Sequence, residues 1–209
     1  MITTLLVRAR RRALAAGLAV AALPIMGHAQ SAAPTPGTVA VRIETSLGTI
    51  LAEIDSLHAP VSARNFLRYV DSSAYVDGRF HRTVTMDNQP RDTVRIEVIQ
   101  GGANPARTGA RFPAVPLERT TVTGLRHRDG TLSMARGGPD SATSDFFICI
   151  GDQPSLDFGG HRNLDGQGFA AFGQVTQGMD IVRAIQKQPA NGQTLEPPIR
   201  IVRIERVRR

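Results

Sequence analysis

One cysteine in 209 residues rules out an intrachain disulfide, so the fold must stand on packing alone. That residue, Cys149, is far from the N-terminus, which excludes lipid attachment at a processed N-terminal cysteine. It sits in the apolar run Phe146-Phe147-Ile148-Cys149-Ile150 and reads as a small buried hydrophobe with no redox or catalytic use. Five scattered histidines and one cysteine form no metal-ligand spacing, so no metal or cofactor is expected. Tryptophan is absent, and Lys187 is the only lysine. The basic balance is therefore a matter of arginine. No basic cluster alternates with aromatic residues, which argues against nucleic acid as a partner. Arg200, Arg203, Arg206, Arg208 and Arg209 read as a solvated strand face and tail. Ser133, His127 and Asp145 are present, but no nucleophile elbow surrounds a serine, so hydrolase chemistry finds no support. There is no internal repeat.

The N-terminal stretch has the order of an export signal. Arg8, Arg10, Arg11 and Arg12 form a basic region, Ala13 to Met26 an apolar one, and Gly27-His28-Ala29 offers small residues where a signal peptidase reads. The apolar run is too short and weak for a spanning helix. Residues 1–29 are thus expected to be removed, leaving a periplasmic or secreted protein with no stable membrane insertion. Losing four arginines and no acid takes the net charge from +7 to +3. Residues 30–38, with Pro34 and Pro36 among small residues, read as a flexible tether. Residues 39–209 form one domain long enough to bury a real core.

Within the domain, periods change along the chain. Val39, Val41 and Ile43 alternate with polar neighbours, as do Ile50, Ala52 and Ile54 after the Ser46-Leu47-Gly48 turn. Pro60 opens a helix whose stripe is Ala63, Phe66, Leu67 and Val70. Strands follow at Phe80 to Arg82, Val94 to Gln100, Thr131 to Ala135, Phe146 to Ile150 and Phe169 to Val175. Met179, Val182 and Ile185 mark a second helix, stopped by Pro189. Ile199 to Val207 is a last strand whose apolar parity slips, as at a bulge. Eight short strands and two separated helices fit a mainly β fold, a closed eight-stranded antiparallel barrel capped by two α-helices.

The centre of interest is Phe80 to Gly102. Antiparallel pairing of its two ends would set Arg82 beside Gln100. A guanidinium next to an amide supplies several donors, one acceptor and no nucleophile, which suits gripping a peptide backbone rather than cutting it. Phe80-His81-Arg82, Gln100-Gly101-Gly102, Met134-Ala135-Arg136 and Asp145-Phe146-Phe147-Ile148, in that order, resemble the cyclophilin family of peptidyl-prolyl cis-trans isomerases, and its prokaryotic branch in particular. The likeness spans roughly residues 39 to 207.

The resemblance implies the same barrel, no cofactor, and proline-containing polypeptides, such as folding exported proteins, as partners of a monomer. It assigns catalysis to Arg82, with Gln100 holding it and the substrate. Phe80, Val98, Met134, Ala135, Arg136, Phe147, Leu156 and Phe169 are the expected substrate-binding residues, Ala135 and Arg136 through their backbones. A departure at Glu97, where a pocket phenylalanine is usual, joins Asp145 in place of glutamine, Phe169 in place of a rim histidine, and the missing tryptophan. Together they imply weak cyclosporin binding. The alternative is a proline-peptide-binding chaperone module with little turnover; Arg82 argues against it, since binding proline needs only the pocket.

Overall fold

The computed structural model describes residues 35–107 and 112–207. The expected export signal, residues 1–29, and residues 30–34 of the tether lie outside the described residues.

Strand β1 (Thr38–Thr45) turns through Ser46-Leu47 into β2 (Gly48–Asp55). The Thr45 hydroxyl donates to the Gly48 carbonyl at 2.8 Å and fixes the turn. Alternation sends Val41, Ile43, Ile50, Ala52 and Ile54 into the core. Helix α1 (Pro60–Asp71) begins with proline, whose missing N–H would have had no partner there. Its next two amides are satisfied from a distance: Val61 N–H and Ser62 N–H donate to the two carboxylate oxygens of Glu118, at 2.9 and 2.7 Å. The stripe Ala63, Phe66, Leu67 and Val70 is buried as the period required. Phe66 packs edge-on to Phe146, with ring centroids 5.4 Å apart.

The chain continues through β3 (Gly78–Val84), β4 (Val98–Gly102), a single-turn helix α2 (Thr120–Thr123), β5 (Thr131–Met134), β6 (Phe146–Cys149) and β7 (Ala170–Gln177). Helix α3 (Met179–Gln186), the two-residue β8 (Ala190–Asn191) and the long β9 (Thr194–Arg206) complete it. The sheet order is β1-β2-β7-β5-β6-β4-β3-β9-β8, and β9 also pairs with β1. Eight strands therefore close into an antiparallel barrel, and β8 lies outside as the other arm of a hairpin with β9. Helices α1 and α3 are the two expected. A third, α2, is too short to show a period.

The two strand starts that differ most from the sequence reading are those of β4 and β9. The segment expected as a strand from Val94 becomes one only at Val98. Before it, the buried Gln89 side chain does the work of a ladder: its amide donates to the carbonyls of Thr85 (2.6 Å) and Ile96 (2.7 Å) and accepts from Ile96 N–H (3.1 Å). Strand β9 starts at Thr194, earlier than Ile199. Its parity slip is real: Glu44 pairs with Arg203 but Thr45 with Ile201, leaving Val202 as the extra residue. Burial accordingly shifts from Ile199 and Ile201 to Ile204.

Candidate active site

Strands β3 and β4 meet as the sequence suggested, with Arg82 opposite Gln100. A bulge falls at His81, because Phe80 pairs with Gly101 and Arg82 with Gln100. Without it, Phe80 and Arg82 would share a face. With it, Phe80 points into the barrel and Arg82 out. Gly101 makes room for this: a Cβ there would come within 2.8 Å of the Phe80 ring. Phe80 is fully buried against Phe146 and does not line the groove, which corrects its assignment as a substrate-binding residue. Met134 is corrected for a related reason. Along β5 the faces alternate, so Leu132 and Met134 enter the core while Ser133 faces the other way.

The groove outside the barrel has a volume of about 460 Å³. A second, smaller apolar cluster forms and underlies its floor: Val84, Ile96, Val98, Phe147, Cys149 and Leu156, with Ala135 and Phe169 packed against it. Val98, Ala135, Arg136, Phe147, Leu156 and Phe169 all line the groove with Arg82 and Gln100, so the remaining expected residues converge. Ile96 also lines it, where Glu97 had been aligned with a pocket phenylalanine. Glu97 instead accepts a hydrogen bond from Gln186 of α3 at 3.2 Å. Alternation at the strand entrance decides which of the two faces the groove.

Arg82 is held on two edges. Its Nη1 donates to Gln100 Oε1 at 2.9 Å. Its Nε and Nη2 both donate to Gln193 Oε1, at 2.9 and 2.6 Å. Gln193, at the β8–β9 turn, was not singled out from sequence; a lone glutamine after Asn-Gly carries no signal there. Of five N–H donors, three are engaged and two remain. Burial, and then the neighbouring Arg162 charge, lower the Arg82 pKa, while Asp92 opposes them. An arginine so placed is still protonated at neutral pH. Gln100 is itself oriented, since its Nε2 donates to Asp145 Oδ2 at 3.4 Å.

The pocket wall is braced from both sides. Phe147 meets Phe169 edge-on at 5.3 Å. The Arg136 guanidinium lies 5.0 Å from the Phe169 ring centroid and is clamped by both oxygens of Asp165, at 2.8 and 3.0 Å. That pairing holds the Asp165 carboxyl down at about 2. Behind Phe147 the His127 imidazole stacks at 6.0 Å. Its Nδ1 lies 2.7 Å from Asp157 Oδ1 and its Nε2 2.9 Å from Ser133 Oγ. These distances resemble a hydrolytic triad, with Asp157 rather than Asp145 as the acid. Ser133 and His127 are buried, however, and no acyl group can reach the hydroxyl. The trio is structural, in keeping with the lack of a nucleophile elbow around the serine. Burial opposes ionisation of Asp157, but the hydrogen bonds and charge of His127 outweigh it and lower its pKa. Cys149 is fully buried in the floor, and burial pushes its thiol pKa up.

Among the described residues no group of His, Cys, Asp and Glu is arranged to hold a metal, and no helix is long and apolar enough to cross a membrane. Residues 40–208 match the family model described as "Cyclophilin type peptidyl-prolyl cis-trans isomerase/CLD". A peptidyl-prolyl cis-trans isomerase of Acinetobacter baylyi is 33% identical over 171 residues, covering 79% of this chain and 84% of its own. Peptidyl-prolyl cis-trans isomerase B of Escherichia coli is 33% identical over 147 residues, covering 70% and 83%. The crystal structure of a cyclophilin-type isomerase from Cryptosporidium parvum superposes with a TM-score of 0.63 at 24% identity, covering 82% of this chain and 99% of that one.

Proposed function

The chain belongs to the cyclophilin-type peptidyl-prolyl cis-trans isomerase family, and from that membership we propose how it works and on what. It is a peptidyl-prolyl cis-trans isomerase. Its catalytic group is Arg82, its substrates are X-Pro segments of proteins folding outside the cytoplasm, and the pocket around Phe147 seats the proline ring. The observation that carries this reading is the guanidinium of Arg82, fixed at the edge of an apolar pocket with two donors unspent.

An X-Pro bond turns slowly because amide resonance imposes a barrier of about 18–20 kcal/mol. As the bond twists, the prolyl nitrogen loses its resonance and becomes a hydrogen-bond acceptor. A donor aimed at it therefore stabilises the transition state more than either planar isomer, which is what raises a rate rather than an affinity. Arg82 supplies the donor, and Gln100 keeps it aimed. The Ala135 N–H is already spent on the Asp145 carbonyl at 2.9 Å, so the Ala135 carbonyl and the Arg136 backbone groups are the ones left for a peptide. A Cryptosporidium cyclophilin-type isomerase of the same fold was solved in the presence of the dipeptide Ala-Pro, which supports a proline-containing ligand for this chain. No step calls for a metal or cofactor. Phe169 at the rim and the missing tryptophan support weak cyclosporin binding.

The export reading rests on the basic and apolar order of residues 1–29. It predicts a mature N-terminus after Ala29, checked by N-terminal sequencing; a mature chain starting at Met1 or Ile2 contradicts it. The isomerase reading is tested by a protease-free assay on a short X-Pro peptide. Acceleration that persists in a chelator supports it, and peptide binding without acceleration transfers the protein to the chaperone reading.

A further inference from the structure

We infer that Gln193, anchored through Asn88, is a positioning residue that sets the orientation of the Arg82 guanidinium; the inference rests on Arg82 being the catalytic donor. A guanidinium held only by Gln100 on one nitrogen could still swing about its Cγ–Cδ and Cδ–Nε bonds, and the two unspent donors would sweep through directions that miss the prolyl nitrogen. Gln193 Oε1 removes that freedom by taking the Nε and Nη2 protons together, at 2.9 and 2.6 Å. A single oxygen shared between those two nitrogens occupies the whole far edge of the fork. The two protons left free, one on Nη1 and one on Nη2, lie off that edge, and Arg82 lines the groove with Phe147.

The holder is itself held. The Gln193 carbonyl accepts from Thr83 N–H at 2.9 Å, one residue along β3 from Arg82, so the turn and the arginine share one backbone frame. Gln193 Nε2 donates to the Asn88 carbonyl at 3.3 Å, which leaves Oε1 as the atom facing the guanidinium. Asn88 in turn donates from Nδ2 to the carbonyls of Thr83 (3.0 Å) and Gly192 (3.1 Å), and accepts from Thr85 N–H at 2.9 Å. The loop between β3 and β4 thereby acquires a task. It ties the tip of the β8–β9 hairpin to the strand that carries Arg82. The same loop reaches the groove again through Asp92, 3.0 Å from Arg162. Small misplacement of a catalytic group is costly, roughly 10- to 100-fold in rate.

The test uses the full chain and exchange NMR on an X-Pro peptide, with affinity measured separately. Gln193→Met keeps length and volume but offers only a weakly accepting sulfur in place of the amide oxygen. It should lower the catalysed exchange rate about 10- to 100-fold with peptide affinity nearly unchanged. Gln193→Glu keeps an acceptor on the far edge but loses the Nε2 donor to the Asn88 carbonyl, so it should retain more of the rate than Gln193→Met. Merely structural support would instead lower thermal stability in both variants without separating rate from affinity. In the wild-type protein, which needs no variant to fold, the Arg82 Nε–H resonance should be resolved and slow to exchange with water. Gln193→Met turning over at the wild-type rate, or an Arg82 resonance averaged like that of a free side chain, overturns the inference. Its failure is distinguishable from failure of the catalytic reading: if Arg82→Ala is slow while Gln193→Met is fast, only Gln193 loses its role.

Discussion

A proline pocket and a catalytic donor can be taken apart one side chain at a time. Phe147 supplies the pocket floor and gives the twisting bond nothing to donate, so Phe147→Ala should raise the peptide dissociation constant strongly. At saturating enzyme, the bound peptide should still exchange, because Arg82 and its two glutamines remain. Calorimetry gives the affinity; the truncation itself costs about 3–5 kcal/mol of stability, so both measurements belong well below the melting temperature. At this scale the motifs were legible where a residue's chemistry is tied to a strand neighbour. Arg82, Gln100 and Phe147 could be read because they stand in motifs that resemble the family's, and because antiparallel pairing sets Arg82 beside Gln100. Phe80 and Met134 were misread because a bulge at His81, and the alternation of β5, decide which way a side chain faces. Gln193 was invisible: it comes close to Arg82 from more than a hundred positions along the chain, and nothing in its local sequence says so.

At the scale of elements, α1 illustrates how a helix end can be completed from elsewhere. Its cap residue Ala59 makes no side-chain hydrogen bond, and no acidic residue lies in the first turn. The negative charge comes from Glu118, which accepts from two of the first free amides and sits at the positive end of the helix dipole. Glu118→Ala should therefore destabilise the domain by about 1–2 kcal/mol, read as a lower midpoint in urea unfolding with the slope unchanged. An unchanged midpoint would show that water replaces the carboxylate without cost. The helix itself was plain in the sequence from Pro60 and its apolar stripe, whereas its cap was not. Likewise the loop before β4 looked like strand because Val94, Ile96 and Val98 alternate. The buried Gln89 side chain, not a neighbouring strand, satisfies the backbone there.

Over the whole molecule, closure depends on β1 meeting β9, the two ends of the domain. A parity slip in β9 could be seen in the sequence, but its partner could not. Stability at low pH is another property of the assembled barrel, because the Asp157–His127–Ser133 trio joins three separate segments behind the pocket. The Asp157 pKa is lower in the folded chain than the ordinary 3.8. Its ionised form thus contributes stability that is present above the unfolded value and is lost as pH falls through the folded one. Asp157→Asn should be less stable than wild type at neutral pH, and the difference should shrink below about pH 4. Urea titrations across that range check it; a gap that stays constant would mean that the carboxylate charge is not what stabilises the trio.

The central claim is that Arg82 acts on the twisted bond and not on the bound peptide, and exchange NMR of an X-Pro peptide with Arg82→Ala tests it most directly when affinity is measured on the same samples. Loss of one oriented, charged donor should slow catalysed exchange by roughly 100- to 1000-fold, about 3–4 kcal/mol, while the peptide still binds through Phe147 and the backbone at Arg136. A variant that binds equally well and isomerises as fast as wild type would contradict the account.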